Sequence, residues 1–350
     1  MSATVGTEAS YFAINSAKRC GTRTHPTRIQ GHSTWFTPRV RTRHSSPGQI
    51  YLKFVQMRIR QALATGLVTL APALTGCLTH VYKVPKVRPA EVVMNATLDQ
   101  LLKQVETRFN DTQSLNAVVE IVASEGGARE GQITEHPSFS GYIFLRKPED
   151  LRVLLRVPIL GSQALDMVSD GKNWKLWIPP RHMAMSGTSE VTAPSKNGLE
   201  NLRPAVFFDS LVVRGLEAGE VVSLTQDSHI VTNPQDKKDL IEEPDYDLEI
   251  LEQPKGKTAH TIRVIHIGRT NLLPYQQDIY GPDGTVVTRT VYSDYQNFGG
   301  IPFPMKIEIK RPQDQYGLKI TVVKLTVNQK FEDDQFELKI PEGVPITVMK

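Results

Sequence analysis

From Leu115 onward the chain changes step. Leu115, Ala117, Val119, Ile121 and Ala123 alternate with Asn116, Val118, Glu120, Val122 and Ser124. A period of two is that of a β-strand, whose successive side chains point to opposite faces. Further strand candidates are 138–147, 151–157, 164–169, 173–178 and 181–186, and, after a break, 246–253, 260–269, 274–281, 284–295, 302–311 and 317–328. Turn signals separate them: Lys147-Pro148-Glu149-Asp150, Pro158 to Gly161, Asp170-Gly171, Pro179-Pro180 and Pro282-Asp283-Gly284. Spacers this short join antiparallel neighbours, because parallel pairs need crossovers of a dozen residues or more. The alternation in the last strand changes phase at Val323, which predicts a bulge. About a dozen strands therefore form a mainly β (α+β) domain built on one curved antiparallel sheet.

Two segments break the two-residue period. Leu98, Leu101, Leu102, Val105 and Phe109 form one apolar stripe at helical spacing, and Thr97 with Gln100 fits a capping box. Leu199 to Val213 predicts a second, short helix with Pro204 near its start. The first stripe needs an apolar partner, and the expected one is the sheet face carrying Ala117, Val119, Ile121, Ile307, Ile309, Ile320 and Val322. Either these faces close into an ordinary core, or the helices stand off and leave a cavity. Ser186 to Gly198 reads as a loop and acidic Asn233 to Asp245 as an exposed loop, with short strands at 221–224 and 229–231.

Upstream, Arg58 and Arg60 precede an apolar run from Ala62 to Leu74 that ends in Leu74-Thr75-Gly76-Cys77. A basic start, a short apolar stretch and small residues before the cut read as a secretory signal. The run is too short to span a bilayer, which takes about 20 apolar residues. The final four residues resemble the bacterial lipobox, which implies cleavage before Cys77 and attachment of a diacylglycerol to its thiol. The resulting division is a non-structured leader or over-extended gene start over 1–56, a signal over 57–76, a tether over 77–90 and a single domain over 91–350. The alternative for 1–56 is a disordered basic leader.

Charge follows this division. Of the 41 Lys/Arg and 37 Asp/Glu, ten basic residues and one acidic residue precede Cys77, so the remainder carries a net charge of about −5. Nucleic-acid binding loses its electrostatic support there. Of the two cysteines, Cys20 lies in the leader and Cys77 at the lipidation position, so the domain is expected to fold by burial alone.

No catalytic constellation emerges. The histidines show no HExxH or close ligand cluster. His260 and His266, read as lying on one strand, would be roughly 20 Å apart, too far to share an ion. There is no GxSxG, P-loop or dinucleotide fingerprint. Neither a metal nor any other cofactor is expected, and the chain reads as non-enzymatic. Trp174 and Trp177 face opposite sides of one strand, the first a candidate cavity wall.

The order of segments resembles the LolA/LolB lipoprotein carrier and receptor superfamily. The matching stretches are Gly141-Tyr142-Ile143-Phe144-Leu145-Arg146-Lys147-Pro148 to Leu151-Arg152-Val153, then Val168-Ser169-Asp170-Gly171-Lys172-Asn173-Trp174. Towards the C-terminus they are Tyr280-Gly281-Pro282-Asp283-Gly284, Gly300-Ile301-Pro302-Phe303-Pro304, and Val327-Asn328 before Phe336 and Pro341. The resemblance implies an open antiparallel half-barrel with helices covering its concave face around an apolar cavity for acyl chains. It also implies that bound lipoproteins are left covalently unchanged.

The lipobox and Val157-Pro158-Ile159-Leu160-Gly161-Ser162 favour the receptor-like form, in which Leu160 matches a protruding residue implicated in inserting acyl chains into the membrane. Ile159 adds apolar surface, and the alternative is a hairpin whose Leu folds inward. The expected cavity lining is Leu98, Leu101, Leu102, Val105, Phe109, Val119, Ile121, Trp174, Ile307 and Ile320. The implied protein is an outer-membrane lipoprotein on the periplasmic face, anchored through Cys77. Its implied partners are acyl chains, the bacterial membrane and a periplasmic carrier protein. An envelope sensor or structural lipoprotein on the same fold is the alternative.

Overall fold

The two-residue period builds one sheet. The computed structural model describes residues 81–189, 201–233, 235–252 and 256–349, so the leader, the signal and Cys77 lie outside the described residues. The residues from Lys83 onward form one unit. In chain order the strands are β1 (Val87–Pro89), β2 (Ser114–Gly127), β3 (Gln132–Glu135), β4 (Phe139–Arg146), β5 (Asp150–Arg156), β6 (Gln163–Ser169), β7 (Asn173–Ile178) and β8 (Met183–Thr188). Then follow β9 (Val221–Thr232), β10 (Leu240–Leu251), β11 (Thr261–Gly268), β12 (Pro274–Tyr280), β13 (Val286–Phe298), β14 (Ile301–Arg311), β15 (Tyr316–Val327) and β16 (Ile346–Val348). The helices are α1 (Leu98–Asp111) and α2 (Pro204–Leu211).

The sheet runs β1-β10-β11-β12-β13-β14-β15-β2-β4-β5-β6-β7-β8-β16, with β9 beside β10 and β3 beside β2. Its two halves meet where β15 pairs with β2. Apart from β1 on β10 and β16 on β8, every pairing is antiparallel. The sheet is open, with both α-helices on one face, as the half-barrel reading requires.

Register shows this directly. Leu248, Ile265, Gln277, Thr290, Ile309, Leu318 and Ala123 are successive cross-strand partners and so share one face. Both helices pack on that inner face. Between Val322 and Lys324 the register slips by one residue, leaving Val323 exposed at the expected bulge.

α1 starts as its capping box dictates: the Gln100 amide donates to the Thr97 hydroxyl at 3.3 Å, and the Thr97 amide donates to Gln100 Oε1 at 2.9 Å. Its partner is the expected one only at its C-terminal end, where Phe109 packs against the core that contains Ile307 and Ile320. Leu101 and Val105 are buried against Tyr246, Leu248, Ile250, Ile265 and Ile267 of β10 and β11, with Leu98 and Leu102 half-buried beside them. The face carrying Ala117, Val119, Ile121, Ile307, Ile309, Ile320 and Val322 is covered mainly by α2, through Val206, Phe207, Phe208 and Leu211. An apolar stripe specifies that a helix must be buried, and tertiary register decides against which strands.

Three further expectations are corrected. The acidic segment does not loop out as far as Asp245: β10 begins at Leu240 and pairs along its length with a continuous β9. Neighbouring strands take up its charges, since Ser228 Oγ donates to Glu242 at 2.8 Å and Tyr275 Oη donates to Asp245 at 2.6 Å. The tether is not wholly irregular, because Val87–Pro89 pairs with Leu240–Glu242. β11 begins at Thr261, so His260 lies before that strand.

After β15 the chain returns across the outer face. There the Arg146 guanidinium donates to the Phe331 carbonyl and Asp333, and β16 adds to the β8 edge. Trp177 on this outer side packs with Val168, Ala184, Leu338 and Val344, opposite Trp174 in the main core.

Candidate functional site

The two ends of the sheet are built differently. At one end α1 spans the rim. The Ala96 amide before it donates to Tyr246 Oη at 3.1 Å, and the Gln113 amide after it donates to Asn328 Oδ1 at 2.8 Å. Lys147 Nζ caps its last turn by donating to the Phe109 carbonyl, with the ammonium 3.3 Å from the centre of the Phe109 ring. Burial there lowers the Lys147 pKa to about 8. β1 enters at this end too.

At the other end lies an apolar cavity of about 340 Å³, within the range of roughly 300–1,000 Å³ of small-ligand sites. Its floor is the inner face of β2, β4, β5, β6 and β7, through Ile121, Phe139, Val153, Leu155, Leu165 and Ile178. Leu202 and Phe207 form its roof, because α2 crosses the sheet with Phe207 turned to this side. The polar side chains among its lining residues are Glu125, His136 and Arg181; the first two lie 3.7 Å apart and Arg181 is exposed.

Val157 lines the same cavity and opens the β5–β6 turn. Three backbone bonds close that turn: Val157 N–H to the Ser162 carbonyl at 2.8 Å, Gly161 N–H to Val157 at 3.0 Å and Leu160 N–H to Pro158 at 2.7 Å. The last bond, spanning two residues, and a φ of 68° at Ile159 make a γ-turn of the rare, strained hand. Its consequence is exposure: Ile159 is 106 % and Leu160 78 % accessible. Leu160 does not fold inward.

The residues expected to line one cavity are dispersed. Ile121 borders it. Val119, Ile307 and Ile320 lie in closed core around α2, and Leu98, Leu101, Leu102 and Val105 pack on β10 and β11. Phe109 borders a separate hollow of about 50 Å³ with Tyr292, Tyr295 and Phe303. Trp174, its indole N–H on the Thr188 carbonyl at 3.3 Å, borders two open grooves of mixed polarity, of about 790 and 610 Å³. Phe139, Val153, Leu155, Leu165, Ile178 and Phe207 went unforeseen as lining. Their inward parity was legible, but the gap between sheet and α2 was not.

Between α2 and the apolar surface under α1, the inner face of β12 and β13 carries polar side chains. Ser210 and Thr290 hydroxyls are 2.9 Å apart, and Gln277 Nε2 donates to the Asp209 carbonyl at 3.0 Å. Burial raises the Asp209 carboxyl pKa despite Arg214 and Arg263. Among the described residues no group of three or more His, Cys, Asp or Glu is arranged to hold a metal.

A protein-family profile described as "-like: Uncharacterized protein" matches residues 229–340. No curated protein matches. Among solved structures, the chain is similar to a LolA superfamily protein from Nitrosomonas europaea at 13% identity, covering 70% of this chain and 99% of that one, with a TM-score of 0.44. It is similar to a DUF1329 family protein from Desulfovibrio piger at 16% identity, with 68% and 94% covered and a TM-score of 0.43. A third is an outer membrane lipoprotein-sorting protein domain from Vibrio parahaemolyticus, at 11% identity, 68% and 94% covered and a TM-score of 0.38. The half-barrel architecture stands on the chain's own strand order and register. It is the architecture that the sequence resemblance to the LolA/LolB superfamily implies.

Proposed function

We propose that this chain is a non-enzymatic envelope lipoprotein that takes up an acyl chain of a lipid or lipoprotein and hands it over at a membrane. One observation carries the reading: the apolar cavity ends at Val157, and two residues on, Ile159 and Leu160 stand in solvent at the same end of the sheet. A buried methylene contributes about 0.8 kcal/mol, so an alkyl chain needs no polar anchor in such a cavity. The tip residues would enter the membrane, and Cys77 would tether the protein to the outer membrane on its periplasmic side. A periplasmic carrier is the natural donor of the cargo, and no cofactor enters this function.

The test is titration of the full chain, kept unlipidated by Cys77→Ser, with a fluorescent fatty-acyl probe. Saturable binding is expected, and Ala164→Phe, which fills the cavity from its wall, should abolish it without unfolding the protein. Binding that is not saturable, or that ignores Ala164→Phe in a folded variant, would overturn the cavity. Depletion in the native cell should leave lipoproteins in the inner membrane; unchanged sorting would favour a structural role.

A further inference from the structure

Ile159 combines two unfavourable features. A β-branched residue at positive φ is strained where glycine is not, and its side chain, fully exposed, gains nothing from burial within the chain. Three backbone hydrogen bonds nevertheless hold it there. Strain that the surrounding structure holds in place clusters at functional positions.

The surroundings say what that contact is. Arg156 immediately precedes the turn, exposed, its guanidinium 5.6 Å from the Tyr142 ring. Arg181 ends the 3-10 turn between β7 and β8 at the same end of the sheet and lines the cavity whose wall includes Val157. Neither arginine pairs with a carboxylate among the described residues. Glu125, the acidic residue in the cavity lining, lies beside His136. A strained apolar tip at the same end of the sheet as two exposed arginines is too small for a protein interface, which needs about 1,000 Å² or more. A bilayer makes no such demand, since single apolar side chains enter hydrocarbon while arginines stay among the headgroups.

We propose that Ile159, flanked by Arg156 and Arg181, docks this end of the half-barrel on a lipid surface bearing anionic headgroups. The cavity mouth then opens towards that surface. This rests on the membrane-facing role proposed above for the turn and adds the headgroup charge and the principal anchor.

The experiment measures binding of the full Cys77→Ser chain to vesicles of phosphatidylcholine alone and of phosphatidylcholine with phosphatidylglycerol. The parent should prefer the anionic vesicles. Arg156→Gln with Arg181→Gln should weaken that binding by about 30-fold and leave phosphatidylcholine binding nearly unchanged. Ile159→Asn should weaken binding to both by about tenfold or more, while Tm stays equal or rises, because Asn tolerates positive φ. No preference for anionic vesicles, an unaffected double variant, or a fall in Tm with Ile159→Asn would each overturn the proposal. Loss of acyl-probe uptake with these vesicle effects intact would remove the cavity reading and leave the docking surface standing.

Discussion

Arg152 on β5 clasps Asp166 on β6 with Nε and Nη2, at 3.0 and 2.7 Å, and the carboxylate is only 3 % exposed. The pair lies on the outer face. Arg152 Nη1 also donates to the Gln335 carbonyl at 3.0 Å, so one guanidinium joins the sheet to the returning C-terminal segment. Arg152→Met should cost about 3–5 kcal/mol in denaturant unfolding, because it strands a buried carboxylate. Adding Asp166→Leu should recover most of that loss. A single variant within about 1 kcal/mol of the parent would show that water already reaches Asp166.

Gly141 on β4 pairs with Leu155 on β5. A Cβ there would lie 2.0 Å from the Leu154 carbonyl oxygen and 3.0 Å from Leu155 Cα. Backbone cannot yield without parting the strands, so Gly141→Ala should destabilise by about 1–3 kcal/mol or more. Calorimetry reads this as a drop in Tm, and an unchanged Tm would contradict the close approach.

Asn328 ties the end of α1 to the end of β15. It holds φ at 60°, accepts from the Gln113 amide at 2.8 Å and donates to the Asp111 carbonyl at 2.8 Å. Asn328→Gly keeps the backbone but loses these bonds and a longer one from the Ser114 amide at 3.4 Å, whereas Asn328→Ala also strains it. The expected losses are about 1–3 kcal/mol for Gly and a further 1 or so for Ala. Equal losses would mean that φ is not what Asn328 supplies.

His266 should make stability fall in mild alkali. Burial disfavours its charged form, but the hydrogen bond to Asp247 at 2.6 Å and the nearby Asp278 carboxylate outweigh that and raise its pKa to about 9. A folded-state pKa above the unfolded value of about 6.5 gives stability fully present below pH 6.5 and lost as pH rises through 9. Denaturation midpoints between pH 6 and 10 should therefore decline, and His266→Gln should flatten the curve. An identical slope in the variant would assign the decline to other groups.

Local chemistry alone was enough for much of this architecture. The two-residue alternation set which side chains of β2, β4, β14 and β15 face inward, and Pro282-Asp283-Gly284 set a turn with Gly284 at φ 76°. Thr97 and Gln100 set where α1 begins, and the phase change at Val323 set the bulge. These are effects of neighbours a few residues apart, written into the chain itself. The partners of α1, the extension of β10 into acidic Leu240–Asp245 and the C-terminal segment over β5 were decided only by tertiary structure. So was the cavity: Val119 and Ile121 share a face two residues apart, yet one lies in closed core and the other borders open space. Parity assigns a side chain to a face. Whether that face is filled depends on how twist accumulates across many strands and on where α2 crosses them, and no local window of sequence contains either.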